Sequence, residues 1–261
     1  MTRVLIFLGV ALTASLAAAE IKTQTIDYTD GSTKCKGVLV YDDAQHGNRP
    51  GVLIAPEWWG ITNYPKTRAQ QLAKLGYIAF VADIYGDGRS TEDPQNAGAL
   101  ATPFMKDRAM MRQRITAALD VLRKQSNVDQ TKIAAIGYCF GGTCVLELAR
   151  SGADIAGVVS FHGNLSNPNP ADARNIKCKV LVQTGADDPM VDQKSVEAFK
   201  DEMRQTDADW YLISYAKAVH EFTNPNADSH HIPGVAYNEK ADKRSWQAMI
   251  DFFNEIFKSP S

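Results

Sequence analysis

Ile136-Gly137-Tyr138-Cys139-Phe140-Gly141-Gly142 decides how this chain is read. It is a G-x-C-x-G, the cysteine form of a sharp strand-to-helix turn that lifts its central side chain out of a sheet. Lys132–Ile136 before it is mostly apolar and predicts a buried strand. Thr143–Arg150 after it predicts a helix. Glycines flank the cysteine because such a turn is tight and its helix packs close. The backbone N–H of Phe140 then falls at the helix start, where it can face a developing oxyanion. A buried, inert cysteine in a glycine-rich turn is the competing reading.

Outward from the elbow, strand-like apolar runs alternate with helical patterns. Thr25–Tyr28 and Cys35–Tyr41 predict an antiparallel start joined through Asp30-Gly31. Gly51–Pro56, Tyr77–Tyr85, Ala156–His162, Lys179–Thr184 and Trp210–Tyr215 predict further strands. Pro65–Leu75, Phe104–Lys124, Gln193–Gln205 and Glu239–Phe257 predict helices, the first stopped by Gly76. This alternation predicts a mainly parallel α/β sheet with helices on both faces. Gly86–Pro103 is a longer polar connection, expected to form a lid or a wall of a pocket.

In such sheets working residues gather beyond the C-terminal strand ends. Cys139 ends one strand. Lys179–Thr184 runs into Gly185-Ala186-Asp187-Asp188-Pro189-Met190, and the last strand leads to His220. The order Cys139, Asp188, His220 is nucleophile, acid, base. A thiol is only a few per cent thiolate at neutral pH, so it needs a histidine to take or hold its proton. A carboxylate behind that histidine fixes its tautomer. Asp187 competes with Asp188, and His162, His230 and His231 compete with His220. Glu57 follows Leu53-Ile54-Ala55-Pro56, where a carboxylate could contact the thiol or simply sit in solvent, and the Trp58 N–H could supply a second oxyanion donor. Trp59, Tyr85, Arg89 and Met190 are pocket candidates. Phe161 is expected in the core.

The N-terminus predicts a leader rather than part of the fold. Arg3, the apolar run Val4–Leu16 and Ala17-Ala18-Ala19 fit a signal segment over residues 1–19, cleaved before Glu20. The reading is an exported protein, periplasmic if its source is Gram-negative, with no stable membrane insertion after cleavage. Residues 20–261 are expected to form a single domain. The formal net charge of −2 favours neither nucleic acid nor an anionic membrane. Four cysteines remain after export, Cys35, Cys139, Cys144 and Cys178; with Cys139 free, at most one disulfide can form among the rest. No spacing suits a metal, no C-x-x-C supports a redox protein, and no cofactor is expected.

Ala55-Pro56-Glu57-Trp58-Trp59-Gly60, Ala82-Asp83-Ile84-Tyr85, the elbow, Ser160-Phe161-His162-Gly163 and His220-Glu221-Phe222 together resemble the dienelactone hydrolase family. The similarity runs from about Ile21 to Phe257. It implies an α/β-hydrolase fold, a Cys139-His220-Asp188 triad, and a Glu57 that holds the resting thiol and moves as substrate activates it. The expected activity is hydrolysis of a small-molecule ester or lactone through a thioester; a non-catalytic binding protein on this scaffold is the alternative. The resemblance also implies arginines that bind a substrate carboxylate, one shortly after the Asp-Leu-Tyr strand and one after the histidine. Here Gly86-Asp87-Gly88 displaces Arg89, and Glu221-Phe222-Thr223-Asn224 carries no arginine. The dienelactone substrate therefore transfers poorly.

Overall fold

A computed structural model describes residues 20–258; the expected signal segment lies outside them. Eight strands form one sheet: β1 (Ile21–Asp30), β2 (Thr33–Asp42), β3 (Arg49–Ala55), β4 (Ile78–Val81), β5 (Val128–Tyr138), β6 (Gly157–Phe161), β7 (Lys179–Gly185) and β8 (Trp210–Tyr215). Their spatial order is β1-β2-β4-β3-β5-β6-β7-β8. β1 and β2 pair antiparallel, β2 meets β4 antiparallel, and every later pairing is parallel.

Successive strand residues point to opposite faces. Val52 and Ile54 face the layer made by α1 (Asn63–Lys74) and α6 (Glu239–Ile256). Leu53 and Ala55 face the layer of α2 (Pro94–Lys106), α3 (Arg108–Arg123), α4 (Phe140–Arg150) and α5 (Gln193–Met203). Both faces are covered, so Val52–Ala55 is fully buried, and the run reads as continuously apolar for that reason. Each such side chain stabilises the fold by about 1.5–3 kcal/mol relative to exposure.

The structure departs from the sequence reading in three places. Phe104–Lys124 is not one helix. Asp107, with φ −118° and ψ 93°, ends α2 and caps α3 by accepting from the Met110 N–H at 3.0 Å. Gly86–Pro103 is not wholly irregular either, because α2 begins at Pro94, capped by Asp93 through the Asn96 N–H. Strand β4 is also shorter than expected. After Val81 the chain turns, and the Asp83 carboxylate collects the N–H groups of Lys36, Gly86 and Gly88 at 2.7–2.8 Å. Those three bonds fix where the connection leaves the sheet.

Candidate active site

The elbow is built as its glycines require. Cys139 has φ +52° and ψ −117° and stands immediately before α4. A Cβ on Gly137 would lie 2.0 Å from the Gly141 carbonyl oxygen, and one on Gly141 would lie 2.1 Å from that of Ala55. Only glycine permits this approach, and it brings the first turn of α4 against the end of β3. Pro56, Glu57 and Trp58 consequently follow β3 directly beside the elbow. The Phe140 N–H belongs to the helix turn that has no intrahelical acceptor. At its far end α4 is tied down by Arg150, which is buried and bonded to Glu147 at 3.0 Å and to Glu202 at 2.8 and 2.9 Å.

His220 Nε2 lies 3.1 Å from Cys139 Sγ, and His220 Nδ1 lies 2.9 Å from Asp188 Oδ2. Asp188 also accepts from the Met190 N–H at 2.8 Å. Asp187 points to solvent and Asp188 is buried, so the two are no longer rivals for this position. The loop carrying His220 is held from a distant segment: its N–H donates to the Gly234 carbonyl and its carbonyl accepts from Ala236. Burial pushes the Cys139 thiol above its ordinary range; His220 pulls it down, while Glu221 and Glu57 push it up. Burial works against charge on His220, yet Cys139 and Asp188 hold it well above the ordinary histidine range. When the thiol is protonated its contribution disappears, and Asp188 is the partner that remains.

Glu57 lies elsewhere than direct contact with the thiol would require. It is buried, and its Oε2 accepts from Asn224 Nδ2 at 3.1 Å. Burial, and then the nearby Glu221, raise its carboxyl well above the usual range. The residue behind the elbow is His162, which the sequence offered only as a rival base. Its Nδ1 accepts from the Cys139 N–H at 3.1 Å, and its Nε2 lies 2.7 Å from Thr223 Oγ1. Thr223 in turn meets the Tyr64 hydroxyl at 2.6 Å, and Arg68 donates to Tyr64 Oη and to the Thr223 carbonyl. Burial first, then the charges on His220 and Arg68, press His162 well below the ordinary histidine range. It is therefore a neutral acceptor fixed under the nucleophile. Its position immediately after the Ser160-Phe161 strand end was the only hint in the sequence.

Cys139, Phe140 and His220 open into a cavity of about 180 Å³, walled by Trp58, Ala101, Met105, Thr143, Asn164, Met190 and Val191. Ala101 and Met105 belong to α2, and through Ala101 the Gly86–Pro103 connection does supply part of the wall. Met190 lines the cavity as expected and is 44% exposed. Trp59, Tyr85 and Arg89 do not line it. Trp59 faces a second cavity with Glu57. Tyr85 is buried behind the wall, stacked on Phe140 and donating to the Trp58 carbonyl at 2.8 Å. Arg89 folds back onto the Tyr85 and Gly86 carbonyls. Phe161 is core. Among the described residues no cluster of three or more His, Cys, Asp or Glu side chains suits a metal ion, and no helix is long and apolar enough to cross a membrane.

A mostly parallel sheet covered on both faces, with a cysteine at the strand-to-helix elbow, defines an α/β-hydrolase. Residues 36–257 match the dienelactone hydrolase family, and the chain belongs to that family. It is 44% identical to P91, a dienelactone hydrolase-like promiscuous phosphotriesterase from metagenomic libraries; the match has a TM-score of 0.89 and covers 92% of this chain and 100% of that one. It is 43% identical to the solved structure m3DLH, with a TM-score of 0.88, covering 91% of this chain and 99% of that one. An uncharacterised protein of Caenorhabditis elegans, K02A2.1, is 38% identical over 152 residues, 56% of this chain and 94% of its own length. The chain is thus an ester or lactone hydrolase, and the non-catalytic alternative falls away.

Proposed function

We propose that the protein hydrolyses neutral esters or lactones through a thioester on Cys139, with His220 as base and Asp188 as its orienting acid. The observation that carries this is the pair of contacts made by one imidazole, 3.1 Å to the thiol and 2.9 Å to the carboxylate. In the first step Cys139 Sγ attacks the acyl carbon while its proton passes to His220 Nε2. The oxyanion that forms is held by the N–H groups of Phe140 and Trp58. Collapse breaks the acyl–oxygen bond, and His220 returns the proton to the departing alkoxide. Water then attacks the thioester with His220 as base, and the acid leaves. Glu57, bonded to Asn224, acts through its field: a carboxylate near Cys139 favours the protonated resting thiol.

The cavity beside Cys139 supports neutral substrates, because no Lys or Arg side chain lines it. The same neutrality suits a phosphotriester, the substrate class in the name of the relative P91. The test is stoichiometric trapping with an activated ester followed by intact mass. The acyl adduct should form on wild type and on Cys144→Ala, and be absent from Cys139→Ala. Turnover retained in Cys139→Ala would remove the thioester mechanism.

A further inference from the structure

A second cavity, of about 330 Å³, lies on the other side of Glu57 and Trp59 and shares no lining residue with the cavity at Cys139. Its walls are polar where those of the first are apolar. Glu57 is its buried acid, 1% exposed, with Oε2 bonded to Asn224 and Oε1 without a partner. A desolvated carboxyl oxygen left unpaired costs free energy that an incoming donor recovers. Arg68, the cation behind Tyr64, does not supply that donor, since its nitrogens are bound to Tyr64, Gln71, Thr223 and Asp242.

The rest of the lining points to the charge of that donor. Glu92 stands at the exposed rim, and no Lys or Arg lines the cavity. His230 is held by Glu221, 3.0 Å from its Nδ1, with its ring against Trp59 at 4.5 Å. Two carboxyl groups with no lining lysine or arginine complement a cation, whose charge would favour the ionised form of Glu57 that burial and Glu221 disfavour. At another part of the wall Thr62 and Asn63 begin α1, and the N-cap residue Thr62 closes no side-chain bond. The helix start thus has donors ready for an acceptor on the same ligand.

We propose that this cavity binds a small hydroxylated ammonium compound, an amino alcohol, with its ammonium on Glu57 and its hydroxyl at the start of α1. The cavity is distinct from the one at Cys139, although Glu57 also acts on the thiol through its field, and binding is read without turnover. Ethanolamine as its hydrochloride, and ethylene glycol as its neutral counterpart, are titrated into the protein at neutral pH by calorimetry and by NMR. Ethanolammonium should bind at least about tenfold more tightly than ethylene glycol, the margin that one charge-assisted hydrogen bond supplies. Glu57→Gln should erase that margin. Asn226→Trp, at the exposed edge of the cavity, should block binding while ester hydrolysis at Cys139 continues unchanged. The proposal is overturned if ethanolammonium gives no saturable signal in the millimolar range, if both probes bind equally, or if binding survives both substitutions.

Discussion

Cys139 has a positive-φ backbone conformation that a side-chain-bearing residue adopts at a cost of about 1–3 kcal/mol. The His162 ring helps to hold it there by accepting its N–H. That bond needs a neutral imidazole, and burial keeps His162 neutral well below its ordinary titration. A folded pKa below the unfolded one means stability that is fully present above about pH 6.5 and lost as pH falls from there through the folded value. His162→Gln should therefore lower Tm near neutrality, and the gap to wild type should narrow as pH drops from about 7 to 5. A gap of constant width would show that the ring's protonation is not linked to folding. Glu57 makes the opposite kind of contribution to the thiol. Its negative field raises the Cys139 titration, so Glu57→Gln should shift the pH profile of iodoacetamide alkylation to lower pH. An unchanged profile would mean that Glu57 is neutral throughout the range in which Cys139 titrates.

Between α2 and α3 a single residue, Asp107, closes one helix and opens the next. Asp107→Ala removes the acceptor of the Met110 N–H and should cost about 0.5–2 kcal/mol, read from the urea midpoint. Because α2 carries Ala101 and Met105 into the wall of the Cys139 cavity, KM should rise more than kcat falls. A fall in kcat alone would place α2 in the chemistry instead. This break was only partly legible in the sequence. Apolar spacing continues across Phe104–Lys124, and the period alone argues for one helix. The competing signals, Pro103 just before the run and an aspartate ahead of Met110, are local and weak beside that period. The elbow was legible for the opposite reason: a Cβ on Gly137 or Gly141 would lie 2.0 or 2.1 Å from a backbone carbonyl oxygen, so no other residue fits.

The molecule as a whole sets the substrate's charge. With Arg89 folded onto carbonyls and no Lys or Arg lining the cavity at Cys139, a carboxylated lactone finds no lysine or arginine partner there. Its neutral methyl ester should show the higher kcat/KM, by tens- to thousands-fold, because an unpaired buried charge costs about 2–5 kcal/mol. A preference for the acid that disappears in Arg89→Ala would show that the arginine reaches the site after all. The leader expected over residues 1–19 makes a separate prediction: N-terminal sequencing of the protein from its native host should begin at Glu20. A chain that begins at Met1 or Thr2 would remove the proposal of export.

Local chemistry carried the strand–helix alternation, the elbow and the placing of a cysteine, an aspartate pair and a histidine after successive strands, because backbone propensity, side-chain period and steric exclusion act within a few residues. Packing alone chose between Asp187 and Asp188, set His162 beneath the nucleophile, joined Glu57 to Asn224 and turned Trp59, Tyr85 and Arg89 away from the cavity. Each of those outcomes depends on which loops meet after the sheet has closed. Glu57 and Asn224 are 167 residues apart, and His162 and Thr223 are 61 apart. No local preference can encode such a meeting, since the free energy that fixes it comes from burying both faces of the sheet at once.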